Sequence, residues 1–467
     1  MQKFQIVVEK RAPEWYNLKK RTECAHIMNN ITVDFSQSLG KIKPMHSVNN
    51  GPAYKFTQDQ RVTNMPAYKA AGIPYARTHD ASFFAVYGGP HTVDVHMIFP
   101  DFSKDPEDPA SYDFTLTDEY MKVIGLAGTK VFYRLGSRIE HEIKKYGTLP
   151  PADFHKWAVI CEHIIRHMNE GWADGHNFGI EYWEIWNEPD LDADDSPNKR
   201  TWGGTEAQFF DLYEITAKHL KKRFPDLKIG GPALAWNEQW AEEFLSEMQK
   251  RKVEIDFFSW HIYCTEPKYL VEKAERIKKL MNVYGYEKAE SILNEWNYIK
   301  GWTKDYVYSL KAIHGIKGAA FIMACMSEAQ KSSIDMLMYY DTRPSVFCGA
   351  FDYYTYEPLK GYYPLYWYGM FYDMRYEARC DAQPENVYTL CGVDENGKSL
   401  AVITYYTDDD SAADKAIADK AIAVDFGKDG KYEIYLLDED NDGKLVKVTS
   451  DLSFLMRRHS CIMIKEI

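Results

Sequence analysis

Two hydrophobic rhythms alternate along most of the chain. Short apolar runs of the kind a barrel strand buries occur at Ile31–Phe35, Gly72–Thr78, Lys130–Leu135, in the stretch opening at Glu181, and at Lys228–Pro232, Ile255–Tyr263, Glu290–Trp296 and Gly318–Cys325. Between them, apolar positions recur every three or four residues. Phe154, Trp157, Ala158, Cys161, Ile164, Ile165 and Met168 show the pattern, which predicts a helix with one buried face. Further helices are predicted from near Thr117 and over Glu206–Phe224, Glu238–Arg251, Lys268–Tyr284 and Thr303–His314. Strand and helix in alternation signal parallel crossover units, and eight strands counted from Ile31 predict an α/β fold, a closed (β/α)8 TIM barrel.

From about Cys380 the texture changes to short β-rich runs at Val387–Cys391, Leu400–Tyr406, Ala421–Phe426, Tyr432–Leu437 and Ser453–Ile464, joined by Gly- and Asp-rich turns. This predicts an accessory antiparallel β-sandwich domain. Phe4–Val8 reads as a strand that could join it, so the expected division is 1–25 with the sandwich, 26–375 as barrel and 376–467 as sandwich. His91–Asp113, rich in Pro and Asp, is too long for a plain connector and reads as a loop walling a site. Asp408–Lys420 reads as a solvated loop or short helix.

Composition narrows the partners. The 467 residues are 45% hydrophobic and 27% charged, as in a globular protein with a large core, and the net charge of −13 argues against nucleic acid and against an anionic membrane surface. Met1–Pro13 lacks the apolar core of a signal peptide, and no segment reaches the length of a membrane span. Eight cysteines without CxxC spacing fit free thiols in a cytoplasmic protein. The charge and size leave a homo-oligomer open.

Candidate chemistry sits at strand ends. The run Glu181–Ile185 continues through Trp186, Asn187 and Glu188 and breaks at Pro189, so Glu188 stands where a barrel collects catalytic groups. Ser291–Trp296 likewise ends in Asn294, Glu295 and Trp296. Glu188 follows the fourth strand and Glu295 lies on the seventh, 295 − 188 = 107 residues apart, and barrel closure can bring them together. Cleavage of a glycosidic bond with retention needs such a pair roughly 5 Å apart, one carboxyl protonated and one ionised. Arg77 and His79 close the second strand, and His261 and Tyr263 the sixth, as candidate donors. Trp296, beside Glu295, is the candidate sugar platform.

The ordered set WEIWNEPD, TWGGT (Thr201–Thr205), GGPA (Gly230–Ala233), SWHIY and LNEWN resembles glycoside hydrolases of clan A, and within them family 39, which contains β-xylosidases and α-L-iduronidases. SLGKIKPMHSVNNGP fits the same family's first barrel loop. The resemblance implies Glu188 as acid/base, Glu295 as nucleophile and Asn187 as partner of the sugar 2-hydroxyl. It also implies Arg77, His261 and Tyr263 as supports of the nucleophile and substrate, and His79 and His46 are further candidates for substrate binding. The expected activity is that of a retaining exo-glycosidase on short oligosaccharides or glycosides, with no metal and no organic cofactor. Alternatives are another clan A activity, of arabinosidase, iduronidase or endo-glucanase/mannanase type, or a barrel that binds sugar without turnover. The predicted eighth strand ends in Met323–Met326, where the clan often has an aromatic platform, and MYYDTRP (Met338–Pro344) resembles some arabinofuranosidases of the clan. Asp438, Asp440, Asp442 and Gly443 mimic a calcium loop, but its twelfth position is Thr449 rather than Glu, so a hairpin turn is expected. The histidines never fall in HExxH or a comparable metal spacing.

Overall fold

Eight parallel strands close into a barrel in the computed structural model, which describes residues 29–54, 63–80, 82–84, 88–374, 376–381, 383–410 and 419–467. In chain order they are β1 (Ser47–Asn49), β2 (Tyr75–Arg77), β3 (Lys130–Leu135), β4 (Tyr182–Ile185), β5 (Lys228–Leu234), β6 (Phe257–Cys264), β7 (Glu290–Tyr298) and β8 (Met336–Tyr339). Each pairs with its sequence neighbours, and β8 closes on β1 through Met338 opposite Ser47. The barrel interior is filled by Phe132, Tyr182, Phe257, Ile292, Met336 and Met338, side chains from alternating positions on five strands. Packing there is tight enough to demand glycine: a Cβ on Gly230 of β5 would lie 2.2 Å from the Phe257 carbonyl oxygen of β6.

Two strand assignments shift. Ile31–Phe35 is part of a strand, Asn29–Lys41, but it pairs with Tyr376–Asp381 and Lys420–Asp425 and not with the barrel. Its alternation of buried Ile31 and Val33 with exposed Thr32 belongs to a sheet solvated on one side, not to a strand covered on both. The true first strand, Ser-Val-Asn, is too short and too polar to register as an apolar run. At the other end, Gly318–Cys325 lies inside a helix, Ile316–Gln330, buried on nearly all sides. A helix apolar all round and a buried strand read alike by periodicity. The eighth strand comes next, at Met336–Tyr339. Both shifts preserve the count, so β4 and β7 keep their ordinal places.

The described residues divide into two compact units, one between 43 and 370 holding the barrel and one of 29–42 with those between 371 and 467. The second unit is a nine-stranded, largely antiparallel sheet with a shared apolar core that includes Ile31, Val33, Ile403, Ile434, Phe454 and Ile464, the accessory β-sandwich expected. Its one parallel pair joins Asn29–Thr32 to Ile422–Asp425. Tyr432–Leu437 and Asp442–Thr449 form the hairpin expected around Asp438, whose carboxylate accepts from the backbone N–H of Asp440 and Asn441. Phe4–Val8 lies outside the described residues, as does much of Asp408–Lys420. No helix among the described residues is long and apolar enough to cross a membrane.

Candidate active site

The C-terminal ends of β1, β2, β4, β6 and β7 converge on one buried guanidinium. Arg77 at the end of β2 donates from Nε to Glu184 Oε2 at 2.7 Å, from Nη1 to Asn49 Oδ1 at 3.1 Å and Glu295 Oε2 at 3.3 Å, and from Nη2 to Asn187 Oδ1 at 2.6 Å. It is wholly buried, and its planar fork spans four groups that a lysine could not reach together. Glu184, inward-facing on β4, also accepts from Ser259 Oγ at 2.6 Å and from Asn294 Nδ2, so the charge that β4 carries into the barrel is paired and hydrogen-bonded throughout.

A backbone irregularity aims the nucleophile candidate. Strict alternation on β7 would turn Ile292 and Asn294 inward and Glu295 outward. The register of β7 against β6 slips between Leu293 and Glu295, and so Asn294 and Glu295 both face the site. Tyr263 donates its hydroxyl to Glu295 Oε1 at 2.6 Å. On β6, Ser259, His261 and Tyr263 fall on the same side by plain alternation, and Lys273 donates to the His261 carbonyl at 2.8 Å.

Glu188 sits past the end of β4 with φ +50°, in the left-handed region, as does Trp186 at +75°. This strained turn is held by the Glu188 N–H donating to the Ala233 carbonyl at 2.9 Å and by Thr201 Oγ1 donating to the Glu188 carbonyl at 2.6 Å. Asp190 braces the same loop against β5, accepting the N–H groups of Ala235, Trp236 and Asn237 at 2.7–3.0 Å. The Glu188 carboxyl lies 2.9 Å from His261 Nδ1, and Glu295 Oε2 lies 3.7 Å from the same nitrogen. One oxygen of each carboxyl group lies within 4.8 Å of the other's.

Burial dominates the proton balance. It pushes Glu188 up to about 8, with Asp190 adding to the rise. It also pushes Glu295 up to about 7, where the Glu188 charge adds and His261, Arg77 and Tyr263 pull back. Burial holds His261 down to about 4. These directions leave the imidazole neutral and place a proton on Glu188 before Glu295. Glu188, His261 and Glu295 also have the donor types of a metal site, but Arg77 Nη1 already sets a fixed positive charge on Glu295 Oε2, and the Tyr263 hydroxyl occupies Oε1.

Of the residues expected from the sequence, Glu188, Glu295, Asn187, Arg77, His261 and Tyr263 come together. Asn187 keeps a buried Nδ2 without a partner, free to donate to a ligand hydroxyl, and His261 Nε2 is in the same condition. His79 stands in the adjoining wall, 3.6 Å from Asp80, whose carboxylate takes the Tyr340 hydroxyl. Trp296 is not the platform: the slip that turns Glu295 inward turns Trp296 outward, where it is 1% exposed and packs on Tyr339 and Phe321. His46 also lies away, at the start of β1, bonded to the Gly72 carbonyl and packed on Tyr368. The exposed ring near the pair is Trp302, edge-on to Tyr263 at 5.0 Å and 57% exposed. Tyr340 and Phe347 continue this aromatic rim, so an aromatic does follow β8, just beyond the strand that was misplaced. Asn49, Glu184, Ser259 and Asn294 were missed. Glu184 had a readable signal, since a charged residue inside the apolar run Tyr182–Ile185 must find a buried counter-charge.

Arg77→Met should destabilise the protein by about 3–5 kcal/mol, because it strands Glu184 as an unpaired buried charge. The double variant Arg77→Met/Glu184→Met should recover much of that loss. Denaturant unfolding measures both, and a single variant that loses under about 1 kcal/mol, the worth of an exposed pair, would contradict this account of the cluster.

The chain is 33% identical over 129 residues to a β-xylosidase of Geobacillus stearothermophilus, a match covering 26% of this chain and 23% of that one. It is 27% identical over 278 residues to a β-xylosidase of Caldicellulosiruptor saccharolyticus, covering 54% and 52%. The matches thus span about half or less of those relatives' lengths. Among solved structures, a glucosidase from Croceicoccus marinus superposes with a TM-score of 0.74 at 19% identity, over 95% of this chain and 99% of that one, a likeness of fold. The family model for glycosyl hydrolases family 39 matches residues 30–313, and the chain belongs to that family.

Proposed function

We propose that the protein is a retaining glycoside hydrolase of β-xylosidase type, releasing single sugars from short oligosaccharides or glycosides. The observation that carries this reading is the approach of Glu188 and Glu295 to within 4.8 Å, in environments that differ in their donors. That approach suits direct attack by one carboxylate better than it suits an inverting enzyme, whose carboxyl groups stand roughly 6.5–9.5 Å apart with a water between them. The xylose preference comes from the two β-xylosidase relatives.

In the first step Glu295 attacks the anomeric carbon while the C–O bond to the leaving group breaks and the Glu188 proton passes to the departing oxygen. Arg77 and Tyr263 hold Glu295 and stabilise it as an anion. In the second, the Glu188 carboxylate takes a proton from water as its oxygen attacks the anomeric carbon, and Glu295 leaves as a carboxylate. Asn187, fixed by Arg77, offers Nδ2 to the sugar 2-hydroxyl. Trp302 offers an exposed aromatic face beside Tyr263. A barrel that only bound sugar would have little use for two facing carboxyl groups that repel. Among the described residues Cys161, Cys264, Cys325, Cys348 and Cys461 are free thiols, in keeping with a cytoplasmic location.

Azide tests the assignment. With an activated aryl xyloside, azide should accelerate Glu188→Ala and yield a glycosyl azide of the substrate's anomeric configuration, whereas Glu295→Gly should yield the opposite anomer. Full activity of Glu188→Ala on a poor leaving group would defeat the proposal.

The proton balance makes a separate prediction. Catalysis needs Glu295 ionised, so kcat/KM should fall as pH drops through about 7, and it needs Glu188 protonated, so kcat/KM should fall as pH rises through about 8. On an activated leaving group the alkaline fall should vanish in Glu188→Gln. An alkaline limb unchanged in that variant would assign it to another group.

A further inference from the structure

Asp118, His167 and His176 form a second cluster of titratable groups, on elements that carry none of the catalytic pair. Asp118 stands in the first turn of the helix Thr115–Leu126, His167 in the last turn of the helix Phe154–Glu170, and His176 in the segment leading to β4. His167 Nε2 lies 2.9 Å from Asp118 Oδ1, and His176 Nε2 lies 3.0 Å from Asp118 Oδ2. All three donor atoms fall within 4.8 Å of one another.

The ring of His167 is held from both sides. Its Nδ1 is 2.9 Å from the Trp172 carbonyl oxygen, which can only accept, so Nδ1 carries a hydrogen. The ring's other nitrogen, Nε2, faces a carboxylate oxygen of Asp118. A cation shared by that nitrogen and the carboxylate, a proton or a metal ion, suits this contact. His176 Nε2 differs: it is buried and, despite the 3.0 Å approach, makes no aligned hydrogen bond. Two imidazole nitrogens and a carboxylate converging on one point, with a backbone carbonyl setting the tautomer of one ring, is the arrangement of a metal site with its supporting shell.

The surroundings hold the donors in place. His167 stacks on Phe114 with centroids 3.5 Å apart and planes 3° from parallel, and the His176 ring packs on Phe178. The His176 N–H donates to the His167 carbonyl at 2.6 Å, and the Gly171 N–H to the His176 carbonyl at 3.0 Å. Gly175 makes this closeness feasible, because a Cβ there would lie 2.2 Å from the His167 carbonyl oxygen. Donors bound to zinc at roughly 2.0–2.1 Å in a tetrahedron stand about 3.3 Å apart, so the three groups need only draw in around the ion. The Asp118 and His176 side chains are 17% and 26% exposed, so the cluster lies near the surface.

We propose that Asp118, His167 and His176 bind a divalent transition metal ion of the zinc class, tying two barrel helices to the segment that feeds β4. The imidazole-rich donor set selects zinc, cobalt or nickel over calcium or magnesium, which favour oxygen ligands. The site would escape any motif search, since its members are 49 and 9 residues apart on three elements.

The test uses the untagged full chain, freed of metal with a chelator and titrated with zinc by calorimetry and with cobalt by visible absorption. The expected result is one equivalent of zinc bound, cobalt d–d bands, and a zinc-dependent rise in melting temperature. Asp118→Asn and His176→Gln should each weaken binding at least a hundredfold and abolish the rise, with circular dichroism verifying that both fold. Absence of stoichiometric binding by the wild-type chain, or binding that survives both substitutions, would overturn the proposal. So would zinc binding that is lost in Glu295→Gln but kept in His176→Gln, which would locate the ion at the catalytic pair.

Discussion

Arg77 carries the fixed positive charge on which the barrel mouth depends. Three carboxyl groups, Glu184, Glu188 and Glu295, lie buried or nearly so around it. Two unit charges about 5 Å apart repel by roughly 3 kcal/mol at the effective dielectric of such sites, the equivalent of about two pKa units. One guanidinium cannot neutralise three anions. It neutralises Glu184 through a 2.7 Å ion pair and lends a weaker, 3.3 Å contact to Glu295. Glu188 is left to the company of a neutral His261 and a buried Asp190. The resulting order, Glu295 giving up its proton before Glu188, is the asymmetry that the proposed acid and nucleophile roles require.

Backbone devices turn this charge arrangement into a usable geometry. The slip on β7 brings Asn294 and Glu295 to the same side, so one strand both satisfies Glu184 and presents a carboxylate to the opening. Left-handed conformations at Trp186 and Glu188 bend the chain at the end of β4, and Asp190 pins the bend to the backbone beyond β5. Arg77 then orients Asn187 through its oxygen and leaves the amide nitrogen unpartnered. Each device costs local stability, and the surrounding hydrogen bonds offset it.

How much of this could be read from the sequence follows from the physics of each position. The barrel was legible because its helices are amphipathic and its middle strands are long and apolar. β1 was not, being three residues with two polar side chains, and Ile316–Gln330 was misread because a helix buried all round has no period to betray it. Glu188 and Glu295 were legible because a carboxylate closing an apolar run, before Pro189 or Trp296, has few structural reasons to be there. Trp296 was misassigned because alternation predicts the wrong face on both sides of a register slip. Asn49, Ser259 and Asn294 gave no signal, since a buried amide or hydroxyl declares its role only through partners distant in the chain.

The account stands or falls on Glu295 forming a bond to sugar. An activated 2-deoxy-2-fluoro-β-xyloside should inactivate the enzyme slowly, because the fluorine retards loss of the glycosyl group more than the activated leaving group retards its formation. Intact mass spectrometry should then show one added fluoroxylosyl unit per chain, and peptide mapping should place it on Glu295. A label on any other residue, or inactivation without covalent addition, would contradict the central claim.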